Sequence, residues 1–365
     1  MLDHVDRDMS LEGHKLLITG PWRVPPPPAQ IAHIQARFPK LVIEVREKLW
    51  TRLVDSGQEE DQEKLWKDVT ILVTQGELPD AAQAPRLQYV QLWTAGAEQV
   101  VNKPAFKDTR ITFCTANGVH GPPVAEWVMT TFLAWQQKIP TYLQLQRRGN
   151  WNRLDEISDD SVDKRVGILG YGSIGRQVAR VAKALGMDVY AYTLHARPTP
   201  ESRRDDSYVP PGLGDPEGTL PSQWFSGRST EHLHRFLGSG LDLLVVAIPL
   251  TCATRGLIAQ AELNVLRKSR TFVANISRGS VLNTNDLVQA LNDGVIGGAA
   301  LDVTDPEPLV DGHPLWTSKN VIITPHISGV SAAYGKRVMD ILELNLERLS
   351  RGKKLKNVVR REAGY

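Results

Sequence analysis

The length and composition of the chain indicate a globular protein with two domains. It has 365 residues, of which 41% are hydrophobic and 23% are charged, and these proportions are close to the averages for globular domains. Disordered and collagen-like classes are therefore excluded. The formal net charge of +2 gives no support to a nucleic acid as the main ligand.

Targeting and redox features of the sequence predict a soluble, cytoplasmic protein. The longest apolar run, LLVVAIPL at 243–250, is far shorter than the roughly 18 residues that a membrane helix needs. The segment MLDHVDRDMSLEGHK at 1–15 has no apolar signal core. Two cysteines, Cys114 and Cys252, fit a reducing compartment without structural disulfides. The sequence gives no reason to expect a metal site or a membrane partner.

The first part of the chain predicts alternating strands and helices. Five apolar strand-like segments occur at 14–20, 41–45, 70–74, 87–93 and 110–116. A helix is predicted at 124–138, and Pro140 is expected to end or kink it. This alternation favours an α/β fold with parallel sheets.

The predicted helix at 124–138 is unusually apolar. Its large apolar residues exceed what one buried face requires: Trp127, Val128, Met129, Phe132, Leu133 and Trp135. We therefore expect it to pack across a two-fold axis in a homodimer. The alternative is complete burial of these side chains within one subunit.

The second part of the chain continues the alternation, with one long interruption. Six further strand-like segments occur at 165–170, 188–193, 241–248, 271–277, 297–303 and 320–326, and a terminal helix is predicted at 333–352. The segment 198–229 is rich in Pro, Gly, Ser and charge, which predicts a long surface loop, partly structured at best. It is either an inert insertion or a flap over a ligand beside the strand end at 193.

A glycine-rich turn carries the first functional signal. Gly170, Gly172 and Gly175 have the G-x-G-x-x-G spacing, follow a predicted strand and open a predicted helix, which is the context that a dinucleotide-binding turn requires. The first glycine permits the tight turn, the second lets a pyrophosphate approach the backbone, and the third lets helix and strand pack closely. The pyrophosphate would bind the amides of Ser173 and Ile174.

Polar side chains at the carboxyl ends of the later strands form a second signal. In a parallel sheet these ends share one edge, where ligands bind. The polar positions there are Thr193, Thr251, Thr254, Ser277, Arg278, Asp302 and His326. Three simpler interpretations stay open: Asp302 caps the next turn, Arg278 is an exposed turn residue, and His326 is a packed structural histidine.

Several longer motifs resemble the D-isomer-specific 2-hydroxyacid dehydrogenases. In chain order they are TAGAEQV, NGVHGPPVAEWV, VGILGYGSIGRQVA, NISRGSVLNTNDLVQAL, LDVTDPEPL, PLWTSKNVIITPHISG and NLERLSRGKKLKNVV. The resemblance covers most of the chain from about Leu87. It departs from the family at Thr304, where an aromatic residue is common, and in the length of the 198–229 loop.

The resemblance implies two Rossmann-like domains with the active site in the interdomain cleft. A substrate domain of flavodoxin-like fold would comprise residues 1–118 and 330–365. A dinucleotide-binding Rossmann domain would comprise residues 119–329.

The resemblance also implies the catalytic residues. Arg278 corresponds to the substrate-binding arginine, Glu307 to the acidic partner and His326 to the acid/base. These roles agree with the chemistry, because an imidazole can donate a proton near neutral pH and a guanidinium can pair with the substrate carboxylate through two donors. The amides of Ala95, Gly96 and Ala97 resemble the family's carboxylate-binding segment.

The sequence further predicts which residues bind the dinucleotide and which dinucleotide they prefer. Besides the glycine-rich turn, the expected contacts are Thr193, His195, Arg197, Pro249, Thr254, Ile276, Ser277, Asp302 and Ser328. Thr193 stands where NAD-dependent members carry an aspartate that would repel a 2′-phosphate, and Arg197 and His195 could face that phosphate. We therefore expect NADP(H) to be preferred over NAD(H). Arg176, Arg203 and Arg204 are weaker candidates, and in the alternative these side chains point to solvent and both cofactors are used.

The sequence thus predicts a D-2-hydroxyacid dehydrogenase, or 2-keto acid reductase, acting on a small 2-keto or (R)-2-hydroxy acid. Formate or phosphite oxidation is a less favoured reaction. A competing function on the same fold is an NAD(P)-sensing, corepressor-like scaffold. The position of Trp93 before the expected carboxylate-binding segment leaves it either lining the substrate pocket or in the core.

Overall fold

The computed structural model describes residues 10–20, 22–46, 65–155 and 157–361. Its contacts divide the chain into two compact units. The first unit comprises Met1–Val119 and Ser331–Tyr365, and the second comprises His120–Val330. The sequence analysis found no apolar signal core in residues 1–15. Residues 1–9 of that segment lie outside the described residues. Within the described ranges no helix is long and apolar enough to cross a membrane.

The first unit contains a parallel sheet built from the predicted strand segments. Its strands are β1 (Lys15–Thr19), β2 (Val42–Arg46), β3 (Ile71–Thr74), β4 (Tyr89–Leu92) and β5 (Thr112–Cys114). The order β2-β1-β3-β4-β5 is the doubly wound order of flavodoxin-like folds. The central strands β3 and β4 are buried at every residue, as their continuous apolar sequence predicts. Two helices of this unit are α1 (Pro28–Arg37) and α2 (Pro104–Lys107), each beginning with a proline in its first turn.

The second unit contains a longer parallel sheet. Its strands are β6 (Arg165–Leu169), β7 (Asp188–Thr193), β8 (Gln223–Ser226), β9 (Leu243–Val246), β10 (Phe272–Asn275), β11 (Gly298–Leu301) and β12 (Val321–Ile323). The order β12-β11-β10-β9-β6-β7-β8 contains the Rossmann order, with one further strand at the β11 edge. The prediction of an α/β fold with two parallel sheets is confirmed.

Seven helices of the second unit connect these strands in the described chain. They are α3 (Gly121–Gln136), α4 (Ile139–Arg147), α5 (Ser173–Ala184), α6 (Pro200–Arg203), α7 (Thr230–Leu237), α8 (Gln260–Leu266) and α9 (Thr284–Asn292). The helix predicted at 124–138 begins three residues earlier and ends at Gln136. Lys138 then adopts a left-handed conformation with φ of 57°, and Pro140 lies in the first turn of α4. Pro140 therefore does separate two helices.

The apolar side chains of α3 pack mainly inside their own unit. Val128, Met129 and Phe132 are buried. Trp135 contacts Phe272 with ring centroids 4.9 Å apart and donates from Nε1 to the Gly297 carbonyl over 3.1 Å. The subunit itself therefore buries most of the apolar area that was expected to face a partner.

The segment 198–229 contains more regular structure than predicted. It forms the short helix α6 and the strand β8, and β8 pairs in parallel with β7 from Tyr190↔Gln223 to Thr193↔Ser226. The sequence QWFS of β8 lacks the longer apolar run that identified the other strands, and its strand conformation depends on hydrogen bonds to β7.

The terminal helix, α10 (Tyr334–Ser350), belongs to the first unit. Asn345 is fully buried, donates to the Tyr89 hydroxyl over 3.1 Å and accepts from the Lys356 amide over 2.7 Å. Arg37 of α1, which is partly buried, bonds the buried Glu343 and the partly buried Glu347, each over 2.6 Å. These contacts hold the end of the chain on the sheet formed by its beginning.

Candidate functional site

The three glycines of the glycine-rich turn have different surroundings. Gly170 has φ of +103°, and a Cβ there would stand 2.6 Å from the Ala247 carbonyl oxygen. A Cβ on Gly175 would stand 2.5 Å from the Gly170 carbonyl oxygen, whereas a Cβ on Gly172 would meet nothing within 4 Å. The first and third positions thus require glycine for packing, and the second leaves the backbone open.

The N-terminus of α5 lies directly after this open backbone. The first helical hydrogen bond runs from the Arg176 amide to the Gly172 carbonyl over 2.9 Å, so the amides of Ser173 and Ile174 precede any intrahelical acceptor. A helix N-terminus of this kind binds anions. Open space above Gly172 and donors beside it fit the pyrophosphate of a dinucleotide.

The strand end at β7 presents Thr193, His195 and Arg197. The Thr193 hydroxyl donates to the His195 carbonyl over 2.7 Å, so its hydrogen is used within the turn. The oxygen can still accept. His195 is exposed, and the partly buried Arg197 donates from Nη1 to the Ser202 carbonyl.

The weaker cationic candidates differ in accessibility. Arg176 is only 4% exposed, and its guanidinium donates to the carbonyls of Asp215 and Arg203, so the expectation that it faces a phosphate is wrong. Burial lowers the pKa of Arg176. Arg204 pairs with Glu217 over 2.7 Å. Arg176 is covered by residues of the segment 198–229. No pattern in the sequence indicates this burial.

The turn after β9 is fixed by short polar contacts. The Thr254 hydroxyl donates to the Pro249 carbonyl over 2.7 Å and accepts from the Thr251 amide over 2.7 Å. Thr254 therefore shapes the turn in which it was expected to contact a cofactor.

Asn275, at the end of β10, is a residue that the sequence analysis missed. It is 1% exposed. Its side-chain oxygen accepts from the amide and hydroxyl of Ser277 over 3.1 and 2.9 Å, and its nitrogen donates to the Arg278 carbonyl over 3.1 Å. The Arg278 side chain is partly buried and donates to the Ser277 carbonyl over 2.8 Å, and Ile276 is partly buried beside it. A single amide side chain ending an otherwise apolar strand was the available signal.

Asp302, at the end of β11, fixes the turn that contains His326. The carboxylate is 2% exposed. It accepts from the Thr324 hydroxyl over 2.6 Å, from the Ile327 amide over 2.9 Å, and from the amide and hydroxyl of Ser328. These internal donors agree with the turn-capping interpretation of Asp302.

His326 and Glu307 form a close pair. Nδ1 of His326 lies 2.7 Å from Oε1 of Glu307, and the two side chains are 51% and 40% exposed. An ionised carboxylate only accepts hydrogen bonds, so Nδ1 carries the hydrogen in this contact. Nε2 is then the nitrogen that can exchange a proton with a substrate.

The expected carboxylate-binding segment follows β4 in the first unit. Ala95 is exposed, Gly96 is half-buried and Ala97 is buried. Across the described ranges, the amides of these three residues donate to no protein acceptor. The Thr94 hydroxyl donates to the Gly96 carbonyl over 2.7 Å and holds the turn closed.

Trp93 lies in the core of the first unit. It is 1% exposed and donates from Nε1 to the Thr19 carbonyl over 3.3 Å. Its ring stacks on Tyr334 at a centroid distance of 6.3 Å and meets the edge of Trp22 at 6.0 Å. Of the two interpretations left open, the core position is the one that the structure shows.

Comparison with known proteins assigns the family. Residues 129–210 and 226–328 match the sequence model of the D-isomer specific 2-hydroxyacid dehydrogenase, NAD binding domain. The chain belongs to this family, and the predicted resemblance is confirmed. The match is interrupted between residues 210 and 226, a stretch that covers the end of the segment connecting β7 to β8 and the first three residues of β8.

Individual relatives extend the similarity beyond this domain. A glyoxylate reductase of Aeropyrum pernix is 33% identical over 290 residues, covering 77% of this chain and 78% of its own. An NADPH-dependent glyoxylate/hydroxypyruvate reductase of Sinorhizobium meliloti, solved with NADP and sulfate, has a TM-score of 0.70 at 25% identity over 96% of this chain and all of its own. A D-isomer specific 2-hydroxyacid dehydrogenase of Xanthobacter autotrophicus, solved with NADPH, has a TM-score of 0.72 at 26% identity over 96% of this chain and 99% of its own.

Proposed function

We propose that this protein is an NADP(H)-preferring D-2-hydroxyacid dehydrogenase that reduces small 2-keto acids to (R)-2-hydroxy acids. The observation that carries the proposal is the 2.7 Å contact between His326 Nδ1 and Glu307 Oε1. The pair lies at the carboxyl ends of β11 and β12, on the sheet edge that also carries the glycine-rich turn. Carbonyl reduction requires a general acid close to the bound dinucleotide, and an oriented imidazole can serve as that acid.

In the proposed reaction His326 supplies the proton. As the substrate carbonyl is reduced, its oxygen takes the hydrogen of Nε2, and Glu307 stabilises the imidazolium by accepting from Nδ1. Arg278 pairs with the substrate carboxylate and polarises the carbonyl. The amides of Ala95, Gly96 and Ala97 in the first unit are assigned to binding a substrate carboxylate, as the family resemblance implies. A bound nicotinamide dinucleotide would supply the hydride.

The dinucleotide would be held by residues that follow the strands of the second unit. We assign to it Gly170, Gly172, Ser173, Ile174, Gly175, Thr193, His195, Arg197, Pro249, Thr254, Ile276, Ser277 and Ser328, with Asp302 positioning the last of these. Preference for NADP(H) is supported by Thr193 at the end of β7, since no carboxylate there repels a 2′-phosphate. It is also supported by the similarity to two proteins solved with NADP or NADPH.

The proposal includes the roles of the two units and a dimer. Residues 1–118 and 330–365 would bind the substrate and residues 119–329 the dinucleotide. Apolar side chains of α4 and its continuation are exposed: Ile139 is 45%, Leu143 48% and Trp151 fully exposed. This surface favours a homodimer through the α3–α4 region. The free, exposed thiol of Cys252 suits a cytoplasmic location.

The test is a steady-state assay of glyoxylate, hydroxypyruvate, pyruvate and phenylpyruvate with NADPH and with NADH. We expect oxidation of the reduced cofactor with at least one of these acids, and higher kcat/KM with NADPH. A protein inactive with every acid and both cofactors would contradict the proposed reaction. Activity that is more efficient with NADH would contradict only the cofactor preference.

A further inference from the structure

The segment 198–222, here called the insertion, is a folded layer on helix α5. It lies between β7 and β8, and it contains residues 211–222 of the stretch 211–225 that the family model does not match. Its middle part is held by two side chains near the glycine-rich turn. The Tyr171 hydroxyl donates to Asp215 over 2.7 Å, and the Gln177 side-chain oxygen accepts from the Gly214 amide over 2.7 Å.

Asp215 organises this middle part. It is 5% exposed, and besides Tyr171 it accepts from the amides of Thr219 and Leu220 over 2.9 and 3.1 Å. Burial raises the pKa of Tyr171, and the hydrogen bond to Asp215 raises it further. The side chains of Asp215, Tyr171 and Gln177 therefore fix the 214–220 turn.

Arg176 makes a different kind of contact, because it joins the middle part of the insertion to its beginning. Its guanidinium donates to the Asp215 carbonyl and, over 2.6 Å, to the Arg203 carbonyl. Asp205 Oδ2 lies 3.3 Å from Nε at an ion-pair distance, without hydrogen-bond geometry. The cation also lies 5.0 Å from the Tyr171 ring centre. Burying a guanidinium costs several kcal/mol unless its donors are used, and here the carbonyls use them.

Arg203, whose carbonyl is bonded by Arg176, in turn contacts Arg197. Its Nε donates to the Arg197 carbonyl over 3.0 Å, while Arg197 Nη1 donates to the Ser202 carbonyl. The capping box between Thr199 and Ser202 closes the short helix α6 between them. The backbone and the side chain of Arg197 are thus both fixed by residues 199–203. Tyr171 and Gln177 contact residues 214 and 215 of the insertion. Of these two side chains and that of Arg176, only Arg176 also contacts residues 199–203.

We infer that Arg176 is a positioning residue for cofactor discrimination: it holds the insertion so that the Arg197 guanidinium meets the 2′-phosphate of NADP(H). The inference rests on the proposed function, which supplies the phosphate. Arg176 itself touches no ligand. Its effect should therefore appear in the binding of the 2′-phosphate and not in the binding of the rest of the nucleotide.

Two nucleotide fragments separate these effects. Titration calorimetry with 2′,5′-ADP and with 5′-ADP measures the contribution of the 2′-phosphate without any turnover. In Arg176→Met, we expect the affinity for 2′,5′-ADP to fall about tenfold or more, the usual effect of losing a hydrogen bond to a charged group. The affinity for 5′-ADP should stay within about twofold. The matched control is Arg180→Met, four residues along α5 and exposed, which should change neither affinity.

A second variant covers a failure of Arg176→Met to fold. Arg176→Lys keeps the buried charge near Asp205 but lacks the two forked nitrogens that bond the two carbonyls separately, and it should also lose affinity for 2′,5′-ADP selectively. Equal loss for both fragments, or no loss for either, would overturn the inference. A wild-type protein that binds both fragments equally would instead refute the proposed NADP(H) preference, and the inference with it.

Discussion

The backbone carbonyl of Asp302 accepts a hydrogen bond from the amide of His326 over 2.8 Å. The Asp302 carboxylate meanwhile binds the amides of the next two residues, Ile327 and Ser328. One residue at the end of β11 therefore fixes the backbone on which the imidazole is carried. His326 itself has φ of 51°, a conformation that non-glycine residues adopt only when their surroundings hold them.

Asp302→Asn should lower both stability and turnover. The side-chain nitrogen of the new asparagine would be a donor that faces the donors now bound by the Asp302 carboxylate. Buried polar atoms would then lack partners, at a cost of about 1–3 kcal/mol in the free energy of unfolding. Because the turn would shift the imidazole, we also expect kcat to fall about tenfold or more. Urea unfolding and steady-state kinetics measure the two effects, and a variant with wild-type values for both would show that Asp302 does not position His326.

His326→Ala should lower kcat for keto-acid reduction by roughly 10² to 10⁴, the usual contribution of a general acid. The affinity for NADPH, measured by fluorescence titration, should change little. His232→Ala is the matched control, because His232 is an exposed histidine of the same unit, and it should retain full activity. More than half of the wild-type kcat in His326→Ala would refute the assignment.

Arg278→Lys should raise KM for the keto acid and lower kcat, since an ammonium cannot reproduce two parallel contacts to a carboxylate. Asn275 and the Ser277 carbonyl hold Arg278 in place, so the lysine would occupy the same position with fewer donors. Arg267→Lys, at an exposed arginine of the same unit, is the control. Unchanged kinetics with every substrate would identify Arg278 as a turn residue only.

Thr193→Asp should erase or reverse the preference for NADPH. The new carboxylate would accept from the ribose 2′-hydroxyl of NADH and repel a 2′-phosphate. Arg197→Ala should weaken NADPH binding about ten- to hundredfold and NADH binding far less. The ratio of kcat/KM for the two cofactors is the measurement, and a ratio that both variants leave at the wild-type value would contradict these roles.

The oligomeric state can be tested at α4. Light scattering of the wild-type protein at micromolar concentration should give about twice the chain mass of 40.5 kDa. Leu143→Glu should shift the mass toward one chain, because it places a charge in the exposed apolar surface. Val310→Glu changes an equally exposed valine elsewhere in the unit and should leave the mass unchanged. A wild-type protein of one chain mass would refute the dimer.

The sequence predicted the features that depend on local pattern. Each strand segment that it identified overlaps a strand, and the family assignment is confirmed, because apolar runs and long motifs carry that information locally. The structure of the insertion was missed, since β8 depends on β7, and the burial of Arg176 depends on Asp205, Asp215 and Arg203 folding over it. Asn275 was overlooked although its amide ends an otherwise apolar strand, because two of its three partners are backbone groups that no residue pattern displays.

The placement of α10 on the first unit has a consequence for synthesis on the ribosome. The second unit is continuous from His120 to Val330 and can complete its core before the chain is finished. Most of the first unit emerges earlier. Its contacts from Tyr89 to Asn345 and from Arg37 to Glu343 can form only after the terminal helix has been synthesised. Because domains generally fold as units as they emerge, we expect the domain translated in the middle to fold first. The beginning of the chain would reach its native state only when the last helix is released.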